Sequence, residues 1–201
     1  MKMFLNQTLN AVIQVVLFAL IPFIWWLITA RKKESFWSWI GFKKIKTENK
    51  KKFILFLLCC CVVCYALGEL AIWLRGDLEA ADSAYKGMGV AAIPSILMYA
   101  FGQTALSEEI LFRGFLMKRL QAKWGFSVAT IIQAVIFGAL HLLMVWGQVG
   151  FIAGFIIVVY PMVMAVLLSW INEKKAGGSI YPSWIIHGIL NSITGILQAL
   201  L

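Results

Sequence analysis

Residues 150–171 read GFIAGFIIVVYPMVMAVLLSWI, a continuous apolar stretch without a charged residue. A helix needs roughly 20 such residues to cross the hydrocarbon core of a bilayer. Comparable stretches lie near residues 9–30, 53–75, 90–117, 126–145 and 181–201. None shows the short alternating pattern of barrel strands, and backbone groups in lipid must be bonded within a helix or a closed barrel. The sequence therefore predicts an all-α fold, a polytopic transmembrane helical bundle of about six spans.

The composition of the chain argues against a soluble globular protein. Of its 201 residues, 62% are hydrophobic and 13% are charged, whereas soluble domains carry about 25% charged residues. Six spans leave no room for a separate soluble domain. We therefore expect residues 1–201 to form a single membrane-embedded domain, with a motif-bearing core at about 90–201.

The net charge of +9 indicates membrane topology rather than binding to nucleic acid. Half of the 18 basic residues lie in the loop at 31–52, and cytoplasmic loops of membrane proteins carry an excess of Lys and Arg. We expect this loop to be cytoplasmic, and the acidic loop at 76–89 and both termini to be external. The expected location is a cell membrane with anionic headgroups, and no nucleic acid partner is expected.

Aromatic residues are interspersed in the basic loop. Trp37, Trp39 and Phe42 lie close to Lys43 and Lys44, as in a short interfacial helix on anionic headgroups. Two interpretations stay open, which are anchoring at the membrane interface and guidance of a substrate.

Three charged residues lie within the otherwise apolar stretch 90–117, namely Glu108, Glu109 and Arg113. Each costs on the order of 3 kcal/mol inside a membrane, and such residues usually face the bundle interior and mark function. Glu109 and Arg113 are four residues apart, so they share a helical face and can form an ion pair. Glu108 lies about 100° round an α-helix from Glu109, which makes it the less fully paired carboxylate and the candidate general base. A purely structural Glu–Arg clamp is the alternative.

The chain has only two histidines, and both fall within predicted spans. His141 follows Phe137 by four residues, and His187 precedes Asn191 by four, so each pair shares a helical face. A lone buried histidine is most often a packing residue. Two of them, with a carboxylate pair and an intramembrane asparagine, are more typical of a catalytic site.

Three motifs carry a resemblance to a known family. They are Glu-Glu-x-x-x-Arg at 108–113, Phe-x-x-x-His at 137–141 and His-x-x-x-Asn at 187–191. Together they resemble the CAAX protease and bacteriocin-processing family, which includes the type II prenyl-protein endopeptidases and the bacterial Abi proteins. The resemblance implies an intramembrane endopeptidase that acts on a peptide or protein substrate at the membrane.

The resemblance implies that Glu108 activates water, in agreement with its position beside the Glu109–Arg113 pair. Attack on a peptide carbonyl creates an oxyanion that needs preorganised donors, and His187 with Asn191 could supply them. His141 would then polarise the water or protonate the leaving amine.

A metal ion is the open question about the cofactor. Zinc could be held by Glu108, His141 and His187, since catalytic zinc takes three protein ligands, and the resembling family is often described as metalloprotease. The chain has no His-Glu-x-x-His pair on one helix, and a Glu–His–Asn set can act on water without a metal. A metal-free mechanism is therefore favoured.

Two other classes of protein fit the same polar residues. Intramembrane Glu, Arg and His can form an ion or proton relay in a small transporter, or fix a non-catalytic immunity or peptide-binding protein. The catalytic hypothesis requires Glu108, His141 and His187 to converge in one water-accessible cavity that opens towards the cytoplasmic half.

Overall fold

The computed structural model describes residues 2–75 and 84–201, and every regular element in these two stretches is helical. The predicted all-α fold is therefore confirmed, whereas most of the predicted external loop 76–89 lies outside the described residues. The α-helices are α1 Lys2–Thr29, α2 Phe36–Trp39, α3 Lys50–Arg75, α4 Ile93–Leu97, α5 Lys118–Met144, α6 Phe151–Trp170 and α7 Tyr181–Leu200. A 3₁₀ turn at Val90–Ala92 precedes α4. Two π-helical segments follow α4, at Met98–Leu106 and Glu109–Met117, and a third follows α6, at Ile171–Lys175. The helical segment 90–117 is called span 3 below.

Among the described residues, four helices are long and apolar enough to cross a membrane, namely Lys2–Thr29, Lys50–Leu74, Val90–Met144 and Phe151–Lys175. The third of these contains 55 residues. Within it, Gly125 has φ 77° and ψ 171°, outside the helical region, so the chain changes direction between the predicted spans 90–117 and 126–145. The sixth predicted span forms α7, which is less apolar because it carries polar side chains such as His187 and Asn191. The chain is thus a multi-pass membrane protein.

Helices α1 and α3 face outward along most of their length. In α1 only Ala11 and Pro22 are buried, while large apolar side chains such as Leu17 and Ile28 are exposed. Exposed apolar surface of this extent suits contact with lipid rather than water. Within residues 2–75 and 84–201, the buried polar side chains lie further along the chain, between Ser95 and Ser192, so the polar interior described here belongs to the second half of the protein.

Helices α5 and α6 approach each other closely at Gly138. A Cβ atom at this position would lie 2.6 Å from the backbone oxygen of Val158 and 2.6 Å from the Met162 side chain. Only glycine leaves room for such an approach, as at many helix crossings in membranes. The contact fixes the position of the neighbouring Phe137, which belongs to one of the motifs.

The basic loop packs against the turn between α6 and α7. The amide of Ile180 donates to the Gly41 carbonyl at 3.0 Å, and the Ser179 hydroxyl donates to the Lys43 carbonyl at 2.7 Å. The short helix expected in this loop is α2. Its Trp37 is exposed, whereas Trp39 is buried against protein, so only part of the aromatic cluster is available to headgroups.

Span 3 departs from the regular α-helix that the spacing arguments assumed. Its residues Met98–Leu106 and Glu109–Met117 form π-helical turns, a geometry that is rare and frequently found at functional sites. The Thr104 and Ser107 hydroxyls bond to backbone carbonyls of the preceding turn, an interaction that loosens and bends helices. The Phe101 carbonyl accepts a hydrogen bond from the Trp184 ring at 2.9 Å. Side-chain bonds of this kind compensate for the altered backbone pattern.

Candidate active site

The centre of the candidate site is an ion pair inside span 3. Arg113 Nη1 lies 3.3 Å from Glu109 Oε1, and the two side chains are 1% and 0% exposed. The expected pair is therefore present even in π-helical geometry. The Arg113 guanidinium also lies 4.4 Å from the centre of the Phe137 ring, which stabilises a buried cation. The Phe-x-x-x-His motif thus supports the Glu-Glu-x-x-x-Arg motif through its phenylalanine.

His187 lies between the two neighbouring glutamates. Its Nδ1 is 3.2 Å from Glu109 Oε1, and its Nε2 is 3.8 Å from Glu108 Oε2. Helix α7 brings the imidazole to span 3 because the two elements pack along each other. Glu108 and His187 are 17% and 15% exposed, so both keep some accessible surface.

The proton on Nδ1 of each histidine can be assigned from its partner. A carbonyl oxygen can only accept, so His141 Nδ1, at 2.8 Å from the Phe137 carbonyl, must donate. Glu109 is ionised by its pairing with Arg113, so His187 Nδ1 likewise donates to it. In both rings the Nε2 atom is therefore the one left to act on a substrate or water.

Glu108 is the incompletely bonded carboxylate, as the spacing suggested. Its Oε2 atom is buried and has no hydrogen-bond partner in the described structure. The distance of 3.8 Å to His187 Nε2 is too long for a direct hydrogen bond. The two atoms are therefore close to each other without being bonded.

Asn191 is held by span 3 rather than by His187. Its Nδ2 donates to the Thr104 hydroxyl at 2.8 Å. An amide nitrogen carries two N–H groups, so one N–H of Asn191 stays free for another acceptor. Asn191 lies one helical turn from His187 on α7, as the motif predicts.

His141 is the expected site residue that the structure does not bring into direct contact with the others. Within residues 2–75 and 84–201, no hydrogen bond or ion pair joins it to Glu108 or His187. Its ring packs on Phe137, with 4.5 Å between the ring centres. Its link to the ion pair is therefore indirect, through Phe137 and Arg113. A cavity shared by Glu108, His141 and His187 stays a prediction.

Sequence reasoning missed three polar residues at this site. The Ser183 hydroxyl donates to Glu109 Oε2 at 2.5 Å, and Asn172 Nδ2 donates to that hydroxyl at 2.7 Å. The third residue is Thr104, the partner of Asn191. Ser183 and Thr104 could have been noticed, because they lie four residues before His187 and Glu108 and share their helical faces. Asn172 carries no such signal.

The described side chains do not form a ready metal centre. No group of three or more His, Cys, Asp and Glu side chains converges as metal ligands in residues 2–75 and 84–201. The suggested zinc ligands Glu108, His141 and His187 are not among such groups, and no hydrogen bond or ion pair joins His141 to the other two in the described structure.

Comparison with known families identifies the class of this site. The family described as type II CAAX prenyl endopeptidase Rce1-like matches residues 90–193, which is more than half of the chain and includes all three motifs. The chain belongs to this family. No curated protein and no solved structure matches it.

Membership of the Rce1-like family identifies the chain in general terms as a CAAX-type intramembrane endopeptidase. It is a protease, and its substrate is a membrane-associated peptide or protein. The matched range begins at Val90 and ends shortly after Asn191, so α1, α2 and α3 lie outside it. The glutamates, histidines and asparagine described above all lie within the part of the chain that Rce1-like proteins share.

Proposed function

We propose that this chain hydrolyses a peptide bond with Glu108 as the general base that activates water. The observation that carries the proposal is the buried Glu108 Oε2 atom, which lacks a hydrogen-bond partner and lies 3.8 Å from His187 Nε2. A water molecule between these atoms would be held by both. A general base must be within hydrogen-bond reach of the proton it removes, and this position meets that condition.

In the proposed reaction, the water oxygen attacks the peptide carbonyl carbon while Glu108 takes one water proton. Negative charge then develops on the carbonyl oxygen, where the free N–H of Asn191 and a protonated Nε2 of His187 can donate. The Glu109 carboxylate at Nδ1 stabilises the positive charge of the imidazole in that role. Glu108 then passes this proton to the leaving amine, directly or relayed through Nε2 of His141, and the C–N bond breaks to complete hydrolysis.

The deciding experiment is cleavage by the purified protein in lipid nanodiscs. Suitable probes are an internally quenched peptide ending in a farnesylated CAAX sequence, the same peptide without the farnesyl group, and a library of apolar peptides. We expect cleavage of at least one probe, with the rate reduced about 100-fold or more in Glu108→Gln, the range of general base catalysis. Glu69→Gln removes another intramembrane carboxylate, on α3, and serves as the matched control.

Three outcomes of this experiment separate the hypotheses. A Glu108→Gln protein that cleaves at the wild-type rate would exclude the proposed mechanism. Wild-type protein that binds a probe without cleaving it would instead favour the peptide-binding alternative. A dependence on the farnesyl group would show whether this chain shares the substrate that the family name describes.

The proposed orientation has the basic loop 31–52 and the turns near 120 and 175 in the cytoplasm. Both termini and the loop 76–89 are then external. Hydrogen bonds from the loop at 40–46 to the turn at 176–180 support placement of these two segments on one side. The test uses a variant without the four native cysteines, all in α3. We expect an impermeant thiol reagent to label Lys86→Cys in intact cells and Lys44→Cys only after permeabilisation; the reverse result would invert the topology.

A further inference from the structure

Ser183 and Asn172 form a buried hydrogen-bonded unit beside the glutamate pair. Asn172 Nδ2 donates to the Ser183 hydroxyl at 2.7 Å, and the Ser183 amide donates back to Asn172 Oδ1 at 3.3 Å. The hydroxyl lies 2.5 Å from Glu109 Oε2. Asn172 and Ser183 are both buried. The unit thus joins the end of α6, the start of α7 and span 3 without contact with solvent.

The direction of these bonds follows from the number of protons. A serine hydroxyl has one proton, and two acceptors lie near it, namely Glu109 Oε2 at 2.5 Å and the Ile180 carbonyl at 3.0 Å. The ionised carboxylate is the stronger and closer acceptor, so the proton belongs to it. Asn172 must then donate to a lone pair of the hydroxyl. The chain of donors therefore runs from Asn172 through Ser183 to Glu109.

Arg113 neutralises Glu109 but does not determine its orientation. None of the three Arg113 side-chain nitrogens makes a hydrogen bond of acceptable geometry in the described structure, so its interaction with Glu109 is an ion pair at 3.3 Å. The hydrogen bonds that Glu109 receives from side chains come from Ser183 at Oε2 and His187 at Oε1. Orientation of the carboxylate plane therefore depends on Ser183.

We propose that Ser183 and Asn172 are positioning residues, which fix the Glu109 carboxylate so that it holds the proton of His187 on Nδ1 and leaves Nε2 facing Glu108. The inference rests on the proposed function for its effect on catalysis. Its structural part, the control of the His187 proton, does not depend on the proposed function. Partners that orient a functional histidine in this way fix its tautomer and ring position.

The structural part is tested by NMR of protein labelled with ¹⁵N-histidine in nanodiscs. The chain has only two histidines, and His141→Gln assigns the signal of His187. In this background we expect His187 Nδ1 to be protonated, and Ser183→Ala to lower the population that carries a proton on Nδ1. Asn172→Ala leaves the hydroxyl in place and should cause a smaller shift in the same direction, which gives a second measurement if Ser183→Ala folds poorly.

Ser192→Ala is the matched control. Ser192 is also a buried serine of α7, but its hydroxyl donates only to the Gly188 carbonyl of its own helix, at 2.7 Å. Its replacement should leave the His187 signals unchanged. If Ser183→Ala and Asn172→Ala both leave the His187 spectrum like that of Ser192→Ala, the positioning role is excluded.

The catalytic part is measured with whichever peptide probe the wild-type protein cleaves. We expect Ser183→Ala to lower kcat roughly 10-fold, as loss of an orienting partner does, with KM changed much less. The Asn172→Ala and Ser183→Ala effects should be less than additive in the double variant, because both act through one chain of bonds. Normal kcat with an altered His187 spectrum would separate tautomer control from catalysis and overturn the catalytic part. Absence of cleavage by the wild type would refute the proposed function, while the NMR result would still decide the positioning role.

Discussion

The two sides of His187 differ in how completely their polar atoms are bonded. On the Glu109 side, one carboxylate oxygen contacts Arg113 and His187, and the other accepts from Ser183. On the Glu108 side, a buried carboxylate oxygen has no hydrogen-bond partner in the described structure. Adjacent glutamates of the same segment thus have different surroundings. In the proposed mechanism the fully bonded one orients the imidazole, and the incompletely bonded one acts as the base.

The largest expected effect is on the fully bonded side, from Arg113→Ala. This change leaves the buried Glu109 carboxylate without its cationic partner. Loss of one partner of a buried ion pair lowers the free energy of unfolding by about 3–5 kcal/mol. The free energy of unfolding, measured by SDS titration in mixed micelles, should fall by that amount, and activity should be lost with the fold. Arg119→Ala is the control, because Arg119 stacks on Trp39 and forms no ion pair with a buried carboxylate in the described part of the chain. Wild-type stability of Arg113→Ala would contradict the structural role of the pair.

Glu108→Gln should affect activity and leave stability nearly unchanged. Glutamine keeps the shape of the side chain but cannot take a proton from water, so the rate should fall about 100-fold or more. The same SDS titration should give a free energy of unfolding close to that of the wild type. A large loss of stability would show that the Glu108 side is structural after all, and would remove the contrast between the two glutamates.

Gly138→Ala should lower the free energy of unfolding and disturb the packing of Phe137 on Arg113. The added Cβ meets the Val158 backbone and Met162 at 2.6 Å, and such overpacking typically costs about 1–3 kcal/mol. Helices α5 and α6 must separate, and Phe137 moves with them. Gly150→Ala is the control, since nothing lies within 4 Å of its added Cβ. Equal unfolding free energies for the two variants would rule out the close approach of these helices.

Thr104→Val should have the smallest effect. Valine keeps the side-chain volume but cannot accept the hydrogen bond from Asn191, and one such bond contributes about 0.5–1.5 kcal/mol. We expect the loss in kcat/KM for a cleaved probe, because Asn191 is the proposed oxyanion donor. Thr130→Val serves as the control, because the Thr130 hydroxyl bonds to the Met117 sulfur at 3.8 Å rather than to Asn191. A faster Thr104→Val protein would instead mean that Thr104 holds Asn191 away from the substrate.

Local spacing was enough to predict part of the site. The four-residue spacing predicted the Glu109–Arg113 pair and predicted Glu108 as the incompletely bonded carboxylate. Both features depend only on neighbours within one helix. The apolar runs likewise gave the helical class, because lipid leaves the backbone few alternatives. The resemblance drawn from the three motifs agrees with the family match, which covers residues 90–193 and includes all three.

Contacts between distant segments could not be predicted in this way. The bond from Asn172 to Ser183 depends on how the end of α6 meets the start of α7, and the position of His141 relative to His187 depends on how α5 packs against the other helices. The π-helical turns of span 3 have no clear sequence signal, since threonine and serine, the residue types at 104 and 107, also occur in ordinary α-helices. These features depend on the packing of the whole bundle, which spacing along one helix does not encode.

The π-helical turns also determine how span 3 can change in length during evolution. A π turn bonds each amide to the carbonyl five residues earlier, so it contains an extra residue relative to an α turn. Deleting one residue of Met98–Leu106 ahead of Thr104 would therefore allow regular α-helical bonding while the residues on either side keep their facing, because the turn loses only its extra residue. A deletion from a regular α-helix such as α7 would instead rotate the residues on one side by about 100° relative to the other, and His187 and Asn191 would no longer face the same neighbours. In an alignment of Rce1-like sequences, a single gap in the π-helical segment is therefore compatible with the same contact between Thr104 and Asn191, whereas a single gap in α7 is not.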